Sequence, residues 1–144
     1  MKIAIASDHA GYTLKEAIKK YLKRLKFEPE DFGTDSGSSV DFPDFASRVA
    51  FEISQKKFPF GILICGTGTG MAMVANRFKG VRAANCNTVF LAQLARAHNN
   101  ANILTLGARI LDFKTAKKII RIFLKTKFEG GRHLRRIKKI HQHD

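Results

Sequence analysis

Ile62-Leu63-Ile64-Cys65-Gly66-Thr67-Gly68-Thr69-Gly70-Met71 decides the architecture of this chain. An unbroken apolar run ending at Cys65 reads as a strand buried on both faces. The glycine-spaced residues after it read as a tight strand-to-helix turn, opening a helical stretch near Met71–Arg77. The same alternation extends in both directions. Upstream, Ile3–Ala6 is a short buried strand, and Leu14, Ala17, Ile18, Tyr21, Leu22 and Leu25 recur at helical spacing. Phe27–Phe32 is an edge-strand candidate weakened by Pro29 and three acidic residues. Gly33–Val40 is a Gly- and Ser-rich loop. Asp41 is placed to cap a helix with Pro43 in its first turn and Phe45, Val49 and Ile53 on one face. Downstream, Val81–Cys86 and Ile103–Leu106 are strand candidates around a helix over Val89–Ala97. Asp112 caps a further helix that turns Ala116, Ile119, Ile120 and Phe123 inward.

Strands alternating with helices predict an α/β fold: one domain over 1–144, a three-layer αβα sandwich around a mostly parallel sheet. Ligands of such sheets sit beyond the carboxyl ends of the strands. That rule selects Asp8 and His9, Cys65 to Gly70, Asn85 to Asn87, and Gly107 to Arg109. Past Gly130-Gly131, basic residues surround Leu134, Ile137 and Ile140, which reads as a basic helical arm whose narrow apolar stripe suits a neighbouring subunit.

Composition bounds the function without choosing it. The chain has 144 residues, 26 Lys and Arg against 12 Asp and Glu, and a formal net charge of +14. Such a field attracts anions, whether phosphorylated metabolites, nucleic acid or acidic lipid. Two cysteines make no disulfide framework, and a reducing cytoplasm is the expected compartment. The first apolar run is too short for a signal peptide, and no stretch approaches the roughly 20 apolar residues of a membrane span.

Glycines between a strand and a helix let backbone N–H groups approach an anion. Two common readings of the loop fail. A dinucleotide fold wants an acidic residue about 20 positions on, yet no Asp or Glu lies between Glu52 and Asp112. A phosphate-binding P-loop ends in Gly-Lys-Ser/Thr, and this one ends in Gly70-Met71. Cys65 adds chemistry, because a sulfur before a helix start sits where the thiolate is favoured. A thiolate there can act as nucleophile, metal ligand or base, and no second Cys or His stands at ligand spacing. Cys86 reads as a buried apolar residue. His98 at a helix end is either a cap or a general acid, and Asp8-His9 carries the same ambiguity.

Taken together, Asp8-His9-Ala10-Gly11-Tyr12 with Leu14-Lys15, Asp41-Phe42-Pro43-Asp44-Phe45-Ala46, Cys65 to Gly70, Ala75-Asn76-Arg77, His98-Asn99 and Gly130-Gly131-Arg132-His133 resemble the ribose-5-phosphate isomerase B family, which also contains galactose-6-phosphate and allose-6-phosphate isomerases. The match runs in order over essentially the whole chain. The resemblance implies a flavodoxin-like sandwich, a homodimer or homotetramer with sites shared between subunits, and no metal or organic cofactor. It implies Cys65 as the base moving a proton between C1 and C2, with Gly66, Thr67, Gly68, Thr69 and Gly70 around the enediolate oxygens. It implies His98 as the ring-opening group assisted by Thr67, Asp8 and Asn99 on sugar hydroxyls, and His9, Arg109, Arg132 and Arg136 on the phosphate. Two positions depart from the pattern: Met71 stands where some relatives carry a Glu base, and Phe42 where many carry Tyr.

The expected activity is interconversion of ribose 5-phosphate and ribulose 5-phosphate, within the pentose phosphate pathway. A six-carbon sugar phosphate is the alternative within the class. The rival from another class is a polyanion-binding module resting on Lys15, Lys19, Lys20, Lys23, Arg24 and Lys26. Those side chains spread around their helix as a solvated face does, so nucleic acid is not the expected partner.

Overall fold

The computed structural model describes residues 1–143. Strand β1 (Lys2–Ser7), helix α1 (Tyr12–Arg24), β2 (Glu28–Asp31), α2 (Phe42–Ser54), β3 (Gly61–Cys65), α3 (Thr69–Ala75), β4 (Ala83–Asn85), α4 (Val89–Ala97), β5 (Ile103–Gly107), α5 (Phe113–Lys125) and α6 (Arg132–Ile140) follow in that order. The five strands form one sheet in the order β2-β1-β3-β5-β4, with every pair parallel. A flavodoxin sheet runs 2-1-3-4-5, so the last two strands are exchanged here. The chain passes over β5 to build short β4 at the edge, then returns through α4.

Strand residues alternate between two apolar layers, as the period of two requires. Ile3, Ile5, Ile62, Ile64, Leu104 and Leu106 pack with Ile18, Leu22, Ala92, Ile119, Ile120 and Phe123 of α1, α4 and α5. Ala4, Ala6, Leu63, Cys65 and Ile103 pack with α2 and α3 through Ala46, Val49, Ala50, Met71 and Ala75. The small alanines on that face of β1 let α2 lie close. Because α1 follows β1 onto one face and α3 follows β3 onto the other, a crevice opens between the carboxyl ends of β1 and β3, where ligands of open parallel sheets bind.

Several local expectations change. Edge strand β2 forms despite Pro29, because an edge strand tolerates a residue without an N–H. The Val81–Cys86 candidate shortens to three residues, and α3 begins two residues earlier than expected. Asp112 caps α5 by accepting from the Thr115 N–H at 2.7 Å. Asp41 occupies the N-cap of α2 in extended conformation, but its side chain makes no capping hydrogen bond. On α6, Ile137 is buried in its own chain while Leu134 and Ile140 stay about half exposed, which narrows the outward stripe to two residues.

Lys15 is the largest departure. The sequence reads it as part of a solvated basic face, yet its side chain is fully buried. Its Nζ donates to both carboxylate oxygens of Asp31, at 2.7 and 2.8 Å, and to the Thr34 carbonyl at 2.5 Å. Lys19 adds a 2.6 Å bond to Asp31. Partial burial alone would raise the Asp31 carboxyl, but hydrogen bonds from Lys15, Lys19 and the Gly33 N–H outweigh it and hold the group below its ordinary value. A depressed carboxyl stabilises the fold above its unfolded value, and that contribution is lost as pH falls through the folded one. Asp31→Asn is therefore expected to cost about 3 kcal/mol in urea unfolding at neutral pH. This is the lower end of the range for stranding one member of a buried pair, because a quarter of the Asp31 side chain is exposed. The difference from the unmodified chain should shrink on acidification.

Candidate active site

The crevice between β1 and β3 gathers one group of the expected residues. Ser7 pairs with Ile64, so Asp8 and Cys65, each the next residue, emerge side by side. Asp8 is almost fully buried, and its Oδ1 accepts from the Gly11 N–H at 3.1 Å. His9 Nδ1 accepts from the Val40 N–H at 3.2 Å. That fixes Nδ1 as the unprotonated nitrogen and leaves Nε2 as the N–H donor of the neutral ring.

Cys65 ends β3, buried at 6% exposure. Its Sγ accepts from the Gly68 N–H at 3.1 Å. Gly68 turns the chain back on the sulfur with a φ of +85°, a conformation that L side chains rarely adopt. A methyl there would also strike the Asn85 side chain and the backbone of Leu106. The donor facing the sulfur is thus fixed by backbone geometry. Cys86 meets the other fate. It is buried in the opposite layer, and burial pushes its thiol up to about 11.

Neighbouring strand ends brace the loop. Asn87 donates from Nδ2 to the Thr67 carbonyl at 3.2 Å and accepts from the Gly107 N–H at 3.0 Å. Asn85 donates to Thr69 Oγ1 at 3.1 Å. Both asparagines lie at or just past the end of β4, and nothing in their spacing points to this bracing role. The Arg109 N–H donates to the Gly66 carbonyl at 3.0 Å, and its side chain lies against Gly66, 3.1 Å from where a methyl would stand. The Phe42 ring covers Gly70 in the same way at 2.8 Å. Met71 is fully buried in the α2/α3 layer, so it presents no group to the crevice.

The remaining expected residues lie elsewhere. Helix α4 starts at the carboxyl edge and runs back, so His98, its C-cap, reaches the amino edge. There the Asn102 carbonyl accepts from the Gly61 N–H at the start of β3. Gly61 and Cys65 are four residues apart on one strand, about 13 Å at ~3.3 Å per residue. His98 stacks on His133 with ring centroids 4.4 Å apart and planes 7° from parallel. Desolvation first, then His98 and Arg132, push the His133 imidazole below its ordinary value against the opposing pull of Glu129. Asn99, Arg132 and Arg136 are exposed on the same side. The expected residues of one chain therefore fall into two groups, at opposite ends of the strands. A cavity of about 610 Å³ lies at the amino edge around Arg82, Arg96 and Asn100 and does not include Cys65. Among the described residues, no helix is long and apolar enough to cross a membrane.

A family model described as Ribose/Galactose Isomerase matches residues 3–140. Ribose-5-phosphate isomerase B of Escherichia coli (strain K12) is 42% identical over 139 residues, covering 96% of this chain and 93% of its own length. Among solved structures, a ribose 5-phosphate isomerase from Thermotoga maritima superposes with a TM-score of 0.96 at 53% identity, covering 98% of this chain and 97% of that one. Ribose-5-phosphate isomerase B from Mycoplasma genitalium, solved with bound ribulose-5-phosphate, superposes with a TM-score of 0.95 at 46% identity, covering 99% and 95%.

Proposed function

The chain belongs to the ribose/galactose isomerase family, and we propose that it interconverts ribose 5-phosphate and ribulose 5-phosphate through a cis-enediolate. The observation that carries this reading is Cys65 Sγ facing a backbone N–H beside Asp8 at the switch point of the sheet.

The aldose binds as a closed ring, with its phosphate held by His9, Arg109, Arg132 and Arg136. Arginine gives forked hydrogen bonds to phosphate oxygens, and the Nε2–H of His9 adds a donor. His98, assisted by Thr67, returns a proton to the ring oxygen and frees the C1 carbonyl. The Cys65 thiolate takes the proton from C2. Negative charge then spreads over the oxygens on C1 and C2, which the loop from Gly66 to Gly70 surrounds with the backbone N–H groups not already turned to Cys65 Sγ and Thr67 Oγ1; preorganised donors are the usual large contribution for such charge. A proton passes from the C2 hydroxyl to the C1 oxygen, the same sulfur returns its proton to C1, and the ketone is left at C2. Asp8 and Asn99 hold the sugar hydroxyls. One carbon is oxidised as its neighbour is reduced, so the route needs no external oxidant and no organic cofactor.

Because the Cys65 and His98 half-sites face opposite edges of one chain, a working site takes its second half from another copy. A homodimer, or a homotetramer built from it, supplies two such sites by symmetry. The α6 arm then faces the neighbouring copy's crevice, and the local arginines serve the phosphate while the net charge elsewhere stays general. The proposed setting is the cytoplasm and its pentose phosphates.

The test is incubation with ribose 5-phosphate in deuterated water, followed by NMR, with allose 6-phosphate in parallel. The expected outcome is ribulose 5-phosphate carrying deuterium from solvent, formed faster than any six-carbon ketose. A folded protein that produces no ketose and exchanges no carbon-bound proton would overturn the reading.

A further inference from the structure

Two imidazoles and a carboxylate from distant parts of the chain meet at the amino edge. Gly130 and Gly131, with φ of +71° and +52°, reverse the chain between Glu129 and α6 and set Glu129 across one turn from His133. The Glu129 N–H donates to the Ala97 carbonyl at 3.0 Å, which pins this turn against the end of α4, next to His98. The three side chains bring one ligand atom each to within 4.8 Å of one another. We infer that His98, Glu129 and His133 form a binding site for a zinc-class divalent transition ion, and that the bound ion switches the isomerase off.

The distances suit such an ion. Tetrahedral zinc with bonds of ~2.1 Å holds its ligand atoms about 3.4 Å apart. Glu129 Oε2 lies 3.4 Å from His133 Nε2 and 3.8 Å from His98 Nε2. The rings start near parallel, so one must tilt to share the ion, and His98 is exposed enough to do so. A second observation points to a ligand. The His133 side chain is more than nine-tenths buried, and its Nε2 stands 3.4 Å from Glu129 Oε2 yet makes no hydrogen bond with that or any other described residue. Buried polar atoms without partners are uncommon in native proteins, and a shared ion would satisfy this one. Imidazole and carboxylate without sulfur suit zinc better than calcium or magnesium, which prefer oxygen alone. Three protein ligands leave a fourth position open to water or to a sugar oxygen. Arg132 beside the triad repels a cation, which keeps the ion exchangeable rather than structural. Binding itself follows from these residues alone. The switching-off rests on the proposed function, because the ion occupies the imidazole assigned to ring opening.

Cobalt(II) is the probe, titrated into the full-length folded protein and followed by visible absorption. One ion per chain is expected, with the d–d bands of a four-coordinate nitrogen and oxygen site, displaced by zinc. Glu129→Gln and His133→Ala should each weaken binding at least about tenfold, since even outer-shell changes cost 10–100-fold at metal sites. His143→Ala should leave it unchanged. Zinc should inhibit turnover of ribose 5-phosphate reversibly on chelation, and less at saturating sugar phosphate. Unaltered cobalt affinity in both Glu129→Gln and His133→Ala, or thiolate charge-transfer bands from Cys65 or Cys86, would overturn the site. Site-specific binding without inhibition would overturn the switch. Site-specific binding to a chain with no isomerase turnover in metal-free buffer would uphold the site and sink the proposed function instead.

Discussion

Cys65→Ala is expected to lower kcat for ribose 5-phosphate by about 10²–10⁴-fold, the usual contribution of a positioned general base, while the protein stays folded. Cys65 sits among small and medium apolar residues of the α2/α3 layer. Exchanging its sulfur for a hydrogen should cost on the order of 1 kcal/mol, comparable to one buried methylene. Steady-state kinetics and circular dichroism on the same sample separate the two effects. Within the glycine loop no other side chain can stand in as base, since Met71 at its end is apolar and fully buried in the same layer. Cys86→Ala is the matched control. Its thiol is pushed up to about 11 by burial and packs in the opposite layer, so turnover should be nearly unchanged. Retained turnover in Cys65→Ala would remove the proposed base.

His98→Ala should divide substrates by whether they form a ring. Ribose 5-phosphate is held mostly as a furanose, and opening it takes a proton transfer at the ring oxygen. Erythrose 4-phosphate carries its phosphate on the hydroxyl that would close a five-membered ring, so it presents an open aldehyde. Loss of His98 is expected to reduce kcat/KM for ribose 5-phosphate by about 10²–10⁴-fold, as for other general acid–base groups. The four-carbon aldose phosphate should lose far less. Equal losses on both would assign His98 to proton transfer at carbon or to structure, and would remove it from ring opening. The comparison of each variant with the unmodified chain on the same substrate cancels differences in binding between four and five carbons.

The fold was legible where patterns are local. An unbroken apolar run before a glycine turn identifies β3, and the spacing of Ala116, Ile119, Ile120 and Phe123 identifies the inner face of α5. Sheet order was not legible, because it depends on nonlocal pairing: the exchange of β4 and β5 hangs on a three-residue edge strand whose partner follows a whole helix later. The burial of Lys15 is hidden for a similar reason. Its counter-ion, Asp31, lies on a neighbouring strand, and nothing in the helical spacing of α1 distinguishes a buried lysine from a solvated one.

The candidate site divides along the same line. Cys65, Asp8 and the glycine loop follow from the rule that ligands collect past strand ends, and the structure places them together. The stack of His98 on His133 and the approach of Glu129 depend on α6 folding back against the end of α4. They join residues more than thirty positions apart, and spacing along the chain gives no sign of them. That His98 and the α6 arginines lie a full strand length from Cys65 is also invisible in the sequence. It is the feature on which the proposed two-chain site rests.

Mixing the two inactive variants tests that site most directly. Cys65→Ala and His98→Ala are unfolded together, refolded and assayed on ribose 5-phosphate, with differently tagged chains to count hybrids. In a symmetric dimer, random reassortment makes about half the dimers hybrid. Each hybrid holds one site with both residues intact and one with neither, so recovery of about a quarter of the unmodified activity is expected. Hybrids that form in that proportion yet show no more turnover than the two parents would contradict a site built from two copies of this chain.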